Sequence, residues 1–158
     1  MKTVRERIIE NIVAQLEAIN TNNGYENTLG NGRIYRGVPV IRRKYPPPVG
    51  SVWELPEKRE RNQFGGTVNR LLIRIDAMVE TIIGRDPAST ANGLLGDITK
   101  ALMLSDVASE PLIDDLQDVA AEIIYFEEEE CALIAAVSID FEIRYITEWG
   151  NPYTPHNY

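Results

Sequence analysis

The chain has 158 residues, of which 44% are hydrophobic and 25% are charged, a composition typical of a globular protein with one domain and a core of its own. Its single cysteine, Cys131, excludes an intramolecular disulfide, and one cysteine with one histidine excludes a zinc finger. The formal net charge of −8 argues against general binding to nucleic acids or to anionic membranes.

The N-terminal half predicts one helix followed by strands and loops. Apolar residues recur every three or four positions over 4–19, which predicts an amphipathic helix that ends before the turn signal Asn23-Gly24. A short strand is predicted at 33–37, and the prolines at 46–48 predict a loop or a sheet edge. We expect a second short strand at 49–55, a polar link over 56–62 and a long half-buried strand at 67–81.

The C-terminal half predicts a helix and two further strands. Asp86-Pro87 is typical of a helix start, and the apolar pattern continues to about Leu104. Strands are predicted at 118–128 and 132–147, with a turn at Glu129-Glu130. The order predicts an α+β fold, an antiparallel sheet of four or five strands with two helices packed on one face. We expect one domain over 1–148 and an aromatic, proline-rich C-terminal tail over 149–158.

The charges are distributed unevenly along the chain. Between Arg33 and Arg61 there are eight basic and three acidic residues, so this segment carries +5. Between Asp106 and Glu142 there are twelve acidic residues and no Lys or Arg. The two segments could attract each other, within a chain or between copies, or simply form two solvated surfaces of opposite sign. The pattern suits head-to-tail assembly, in which two different patches of one protein meet and close a ring.

Catalytic patterns are missing from the sequence. It contains neither a phosphate-binding glycine loop nor a nucleophile elbow. His156 is poorly placed for a general base, and Cys131 follows four glutamates, so we interpret it as a small core residue. The run 127–130 predicts a solvated hairpin tip rather than a cation site. We therefore expect no catalytic residue, cofactor or metal.

Three stretches occur in order along nearly the whole chain. They are the helix 5–19 with Asn23-Gly24-Tyr25 and the strand 33–37, the helix end 97–103, and the closing strand 141–147 followed by Asn151-Pro152-Tyr153. Together they resemble the tail terminator proteins of tailed bacteriophages, also called tail completion or minor tail proteins. Ile146 stands where that family usually has an arginine, and the region 45–48 is richer in proline.

This resemblance implies a structural virion protein. Such proteins form a ring, commonly a hexamer, that caps the head-proximal end of the tail tube, stops tube polymerisation and provides the joint to the head connector. We expect assembly in the host cytoplasm, no membrane partner, and DNA that passes through the lumen without specific binding.

The charge pattern and the resemblance together suggest which residues make contacts. We expect subunits to meet through the basic and acidic segments, with the interface residues Arg36, Arg42, Arg43, Lys44, Asp114, Asp115 and Asp118. A long hairpin loop at 56–66 and the C-terminal tail are expected to contact tube or neck proteins through Arg59, Arg61, Trp149 and Tyr153.

Three other functions stay open at this point. A head–tail connector or stopper protein is also small and ring-forming. A nucleic-acid-binding regulator would use the basic segment, in which Tyr35, Tyr45 and Trp53 are interleaved, and would need its basic residues gathered on one face. A small hydrolase would need two carboxylates that converge in a pocket.

Overall fold

The fold is a mixed sheet of six strands with both helices on one of its faces. The structure is a computed structural model that describes residues 1–30, 33–81, 83–104, 112–127 and 133–156. The helices are α1 (Val4–Glu17) and α2 (Pro87–Met103), and the strands are β1 (Ile34–Arg36), β2 (Val49–Arg61), β3 (Gly66–Glu80), β4 (Asp115–Ile124), β5 (Ile134–Glu148) and β6 (Asn151–Pro155). The strand order is β1-β2-β3-β5-β4, and β6 pairs with β5. The predicted α+β class is confirmed.

The sheet is antiparallel except at one edge. β1 runs parallel to β2, whereas β2, β3, β5, β4 and β6 pair in antiparallel fashion. The prediction of four or five antiparallel strands is therefore correct for most of the sheet. It missed β6 and the parallel pair, because a three-residue strand carries no sequence signal for its direction.

Both helices begin where the sequence predicts. The Thr3 hydroxyl accepts a hydrogen bond from the backbone N–H of Glu6 at 3.1 Å, and the Asp86 carboxylate accepts one from Ala88 at 3.0 Å. These side chains satisfy N–H groups that have no partner inside the helix. Pro87 occupies the first turn of α2, where its missing N–H costs nothing.

The main core lies between the helices and one face of the sheet. It contains the isoleucines of α1, the apolar stripe of α2 and every second residue of β3 and β5. Burial of each large aliphatic side chain contributes about 1.5–3 kcal/mol, so this layer holds the helices in place. The opposite face of the sheet is called the outer face below. Among the described residues it is covered at one end, where segment 38–45 packs over Val49, Met78 and Ala136.

The polar link predicted over 56–62 is wrong, and so is the long loop at 56–66. β2 continues to Arg61, and Glu57–Arg61 pairs with residues 67–71 of β3. The ladder is irregular between Glu54 and Glu57, and Pro56 lies in this irregular stretch, where a missing N–H is tolerated. Only a tight turn joins β2 to β3.

The last two predicted strands also need correction. β4 begins at Asp115 and ends at Ile124, earlier than the predicted 118–128, and β5 begins at Ile134. The turn at Glu129-Glu130 and Cys131 lie outside the described residues. The predicted C-terminal tail contains β6, which pairs with the end of β5. Prolines are tolerated in this edge strand because few of its backbone N–H groups are needed as hydrogen-bond donors.

Candidate interaction surfaces

Four residues predicted to contact the tube or neck lie at one end of the sheet. Arg59 and Arg61 lie in the last residues of β2, and Trp149 and Tyr153 lie in the segment that follows β5. We call the surface formed by Arg61, Phe64, Trp149 and Tyr153 the aromatic end. Phe64 is 62% exposed and Trp149 is 47% exposed, which is high for large apolar side chains.

The aromatic end is held by hydrogen bonds between the turn and the C-terminal segment. The backbone N–H of Trp149 donates to Gly65 O at 3.2 Å, and its indole N–H donates to Gly66 O. The Asn62 side chain accepts from the N–H groups of Phe64 and Gly66, both at 2.9 Å. The Arg61 guanidinium lies 5.4 Å from the centre of the Trp149 ring, within the range of a cation–π contact. This surface is therefore formed before any partner binds.

A cavity of about 360 Å³ lies beside the aromatic end, and Arg5, Arg59 and Tyr145 are among the residues that line it. Next to it, the Glu57 side chain is only 4% exposed and accepts hydrogen bonds from the Tyr145 hydroxyl and from Arg59 Nε at 2.6 Å. Arg5 Nη1 lies 3.6 Å from the same carboxylate. Burial and the bond to Glu57 raise the pKa of Tyr145. The hydrogen bond to Glu57 also raises the pKa of Arg59. The Arg59 side chain therefore already has a partner within its own chain.

Arg36, predicted to lie at the subunit interface, is paired within its own chain. Its guanidinium donates to Glu6 at 2.6 Å and to Glu54 at 2.8 Å, and these bonds raise its pKa. Glu54 also accepts from Arg5 Nε at 3.0 Å. The network joins α1 to β1 and β2, which gives Arg36 a structural role that the sequence did not suggest.

The basic loop residues Arg42, Arg43 and Lys44 are exposed on segment 38–45. Within the described residues, Arg42 and Arg43 make no ion pair. Arg42 lines a groove of about 420 Å³ on the outer face together with Glu122 of β4. The basic loop therefore extends toward the acidic strand of its own chain.

The three acidic interface residues differ in their surroundings. Asp114 Oδ2 forms an ion pair with Arg144, 3.1 Å from its Nε, and Asp115 accepts a hydrogen bond from Gln117 at 2.9 Å. Asp118 is exposed and has no ion-pair partner in the parts of the chain that the structure describes. Of the three, Asp115 and Asp118 are therefore the more available for an ion pair with another subunit.

The outer-face groove contains a carboxylate that the sequence analysis did not single out. Asp76 accepts from the Trp53 indole N–H at 3.0 Å, and burial raises its pKa. Glu122 lines the same groove, and Arg74 beside it is paired with Asp140 at 2.8 and 3.1 Å. Trp53 is thus hydrogen-bonded to Asp76. Tyr35 and Tyr45 pack edge to face, with ring centres 5.6 Å apart. These aromatic rings do not form one stacking platform for bases.

Comparison with known proteins gives no assignment: no family model matches the chain, and no curated protein does. Among the described residues, no group of three or more His, Cys, Asp or Glu side chains is placed to hold a metal ion. Neither α1 nor α2 is long and apolar enough to cross a membrane, and the same is true of any other helix in the described ranges.

Proposed function

We propose that this chain is the ring-forming subunit of a phage tail terminator. The observation that carries the proposal is that the two ends of the sheet have different surface chemistry. At one end lies the aromatic end defined above, and at the other Ile83, Tyr125 and Leu133 are exposed where β3 and β4 end and β5 begins. We call this second surface the apolar end.

The two ends are far apart. Since a strand rises about 3.3 Å per residue, the fifteen residues of β3 separate them by roughly 50 Å. A subunit of this kind can contact one partner at each end while its sheet edges face neighbouring copies. We propose that the aromatic end meets the tail tube and that the apolar end meets the head connector. Trp, Tyr and Arg, which the aromatic end combines, are the residues that dominate binding energy at protein interfaces.

The ring explains the acidic net charge. DNA must pass through the ring without binding to it, and excess negative charge repels phosphates within about 10 Å at 0.1 M salt. The chain is assembled in the host cytoplasm and is carried in the virion at the head-proximal end of the tail.

The proposal is tested by capping of a growing tube. Purified tube protein is polymerised with and without this chain, and tube lengths are measured by electron microscopy. We expect the chain to shorten the tubes, and we expect Phe64→Ala with Trp149→Ala to abolish the effect while native mass spectrometry still shows the ring. The matched control is Tyr125→Ala at the apolar end, which should cap normally. A length distribution that the unmodified chain leaves unchanged would contradict the proposal.

The resemblance also fits a head–tail connector or stopper, and the same experiment separates it from a terminator. A connector would bind the isolated head and would leave tube length unchanged. If the unmodified chain binds heads and leaves tube length unchanged, the connector is the better assignment.

One observation favours a different class of function, a small hydrolase. Asp76 and Glu122 line the same outer-face groove, and burial gives Asp76 a raised pKa, which is typical of a general acid. Hydrolysis of a glycoside or ester panel by the unmodified chain, lost in both Asp76→Asn and Glu122→Gln, would support this function. Loss in neither variant would assign any measured activity to a contaminant.

A further inference from the structure

The outer face of the sheet carries a continuous polar groove beside segment 38–45. Two cavities of about 420 and 230 Å³ form the groove, and both are lined by Arg74, Glu122 and Ser138. The larger cavity reaches Ile41 of the covering segment, and the smaller one reaches Ala121 of β4. Sites for small organic ligands typically have volumes of about 300–1,000 Å³, so this groove is large enough for such a ligand.

The floor of the groove consists of side chains from four neighbouring strands. Strand register aligns Asp76 with Ser138 and Ser138 with Glu122 in one row, and Trp53 with Arg74 and Arg74 with Asp140 in the next row. Opposite positions on neighbouring strands lie about 5 Å apart. The backbone ladder therefore sets the spacing of these polar groups before any ligand binds.

The charges of the groove nearly cancel. Its lining contains the guanidinium groups of Arg42 and Arg74 and the carboxylates of Asp76, Glu122 and Asp140. Arg74 is paired with Asp140 at 2.8 and 3.1 Å, and burial raises the pKa of Asp76, which favours its uncharged form. The groove therefore has little net charge with which to select an anion or a cation.

Two charged side chains of the groove are free to bind a ligand. Arg42 and Glu122 are exposed, and within the described ranges neither side chain has a hydrogen-bond or ion-pair partner. Arg42 offers N–H donors and Glu122 offers acceptors. The half-buried Trp53 ring also lines the groove, and its indole N–H is bonded to Asp76 at 3.0 Å, which fixes the ring in place.

We infer that this groove binds a carbohydrate, an uncharged ligand with several hydroxyl groups. Each hydroxyl both donates and accepts hydrogen bonds, so neighbouring hydroxyls match guanidinium donors and carboxylate acceptors that lie side by side. The apolar C–H surface of a sugar ring matches the Trp53 ring and the side chains of Ile41 and Ile124.

The inference goes beyond the terminator function and does not depend on it. No residue of the aromatic end or of the apolar end lines the groove. The site is the one considered above for a hydrolase, but the inference requires binding only and no bond cleavage.

Calorimetric titration of the unmodified chain tests the inference. The probes are maltotriose, cellotriose, mannotriose and triacetylchitotriose, and adenosine and triglycine represent uncharged ligands of other classes. We expect at least one trisaccharide to bind with a dissociation constant of about 1 mM or below. If no trisaccharide binds, or if only adenosine or triglycine does, the inference is overturned and the terminator proposal is unaffected.

Substitutions in the groove show where the sugar binds. Arg42→Gln and Glu122→Gln each remove a charged hydrogen-bonding group, and we expect each to raise the dissociation constant about tenfold or more. The matched control is Arg43→Gln, because Arg43 is exposed beside Arg42 but does not line the groove; it should change the constant by about twofold or less. Circular dichroism checks that each variant is folded. Sugar binding that survives both groove substitutions unchanged overturns the inference.

Salt provides a measurement that does not depend on the variants. Because the ligand is uncharged, its dissociation constant should change by about twofold or less between about 0.05 M and 0.5 M salt. A constant that rises about tenfold over this range would overturn binding of an uncharged ligand by a groove with matched charges.

Discussion

The hydroxyl of Tyr145 donates a hydrogen bond to Glu57, a carboxylate that is almost fully buried. Removal of this donor leaves Glu57 with Arg59 and with the more distant Arg5. We expect Tyr145→Phe to lower the free energy of unfolding by about 1–2 kcal/mol, because a buried charged acceptor loses one partner. Urea unfolding measures the change. Tyr153→Phe is the control, since that residue is exposed; equal stability of both variants would show that the Tyr145 bond contributes nothing.

The ion pair between Arg36 and Glu6 predicts a pH dependence. The hydrogen bond from Arg36 lowers the pKa of Glu6 below its ordinary value of 4.5. A lowered pKa in the folded state stabilises the protein above pH 4.5, and this contribution is lost as the pH falls through the lowered value. We expect Arg36→Gln to lower stability at pH 7 by about 1 kcal/mol or less and to differ little from the unmodified chain near pH 3. Urea unfolding at a series of pH values measures this, with Arg43→Gln as control. A deficit that is constant with pH would contradict the prediction.

Asp76 predicts the opposite pH dependence. Burial raises its pKa above 3.8, despite the hydrogen bonds from Ser138 and Trp53 that lower it. A carboxyl group with a raised pKa binds a proton more tightly in the folded state, so its ionisation costs stability as the pH rises above 3.8. We expect Asp76→Asn to be at least as stable as the unmodified chain at pH 7, and to lose that advantage near pH 3. Thermal unfolding at both pH values tests this, and exposed Asp118→Asn should show no such difference.

Asp97 of α2 fixes the loop that follows α1. Its buried carboxylate accepts from the backbone N–H groups of Glu26 at 3.0 Å and Asn27 at 2.8 Å, and from the Asn27 side chain at 3.0 Å. We expect Asp97→Ala to destabilise the chain by about 2–4 kcal/mol, since three donors lose a charged acceptor. Asp97→Asn keeps one acceptor and should lose less. Chemical denaturation ranks the two variants, and equal losses would contradict a role for the charge.

The longest elements that the sequence predicted correctly have one apolar and one polar side. The stripe of α1 and the alternation of β3 and β5 reflect burial against a single core, so periodicity identifies them. The start of α2 was predicted from its cap, Asp86-Pro87. The second half of β2 failed because it is charged and largely exposed, and its pairing depends on β3 rather than on its own pattern. The partners of Arg36 and Asp97 were not predicted, for a related reason. Their partners are Glu6, Glu54 and residues 26–27, which are distant in sequence, and a single sequence does not show which polar side chains meet.

Two glycines predict stability changes of opposite sign. A Cβ atom on Gly30 would lie 1.9 Å from the backbone oxygen of Glu17, so an alanine at position 30 could not lie this close to the end of α1 without backbone movement. On Gly96, in the middle of α2, a Cβ atom would meet nothing within 4 Å. We expect Gly30→Ala to destabilise the chain by about 2 kcal/mol or more, and Gly96→Ala to stabilise it by about 0.5–1 kcal/mol, because alanine loses less backbone entropy in a helix. Urea midpoints compare the two variants with the unmodified chain. If Gly30→Ala unfolds at the same urea concentration as the unmodified chain, the close approach of residue 30 to the end of α1 is not needed for the fold. If Gly96→Ala is destabilised, a contact must cover that face of α2.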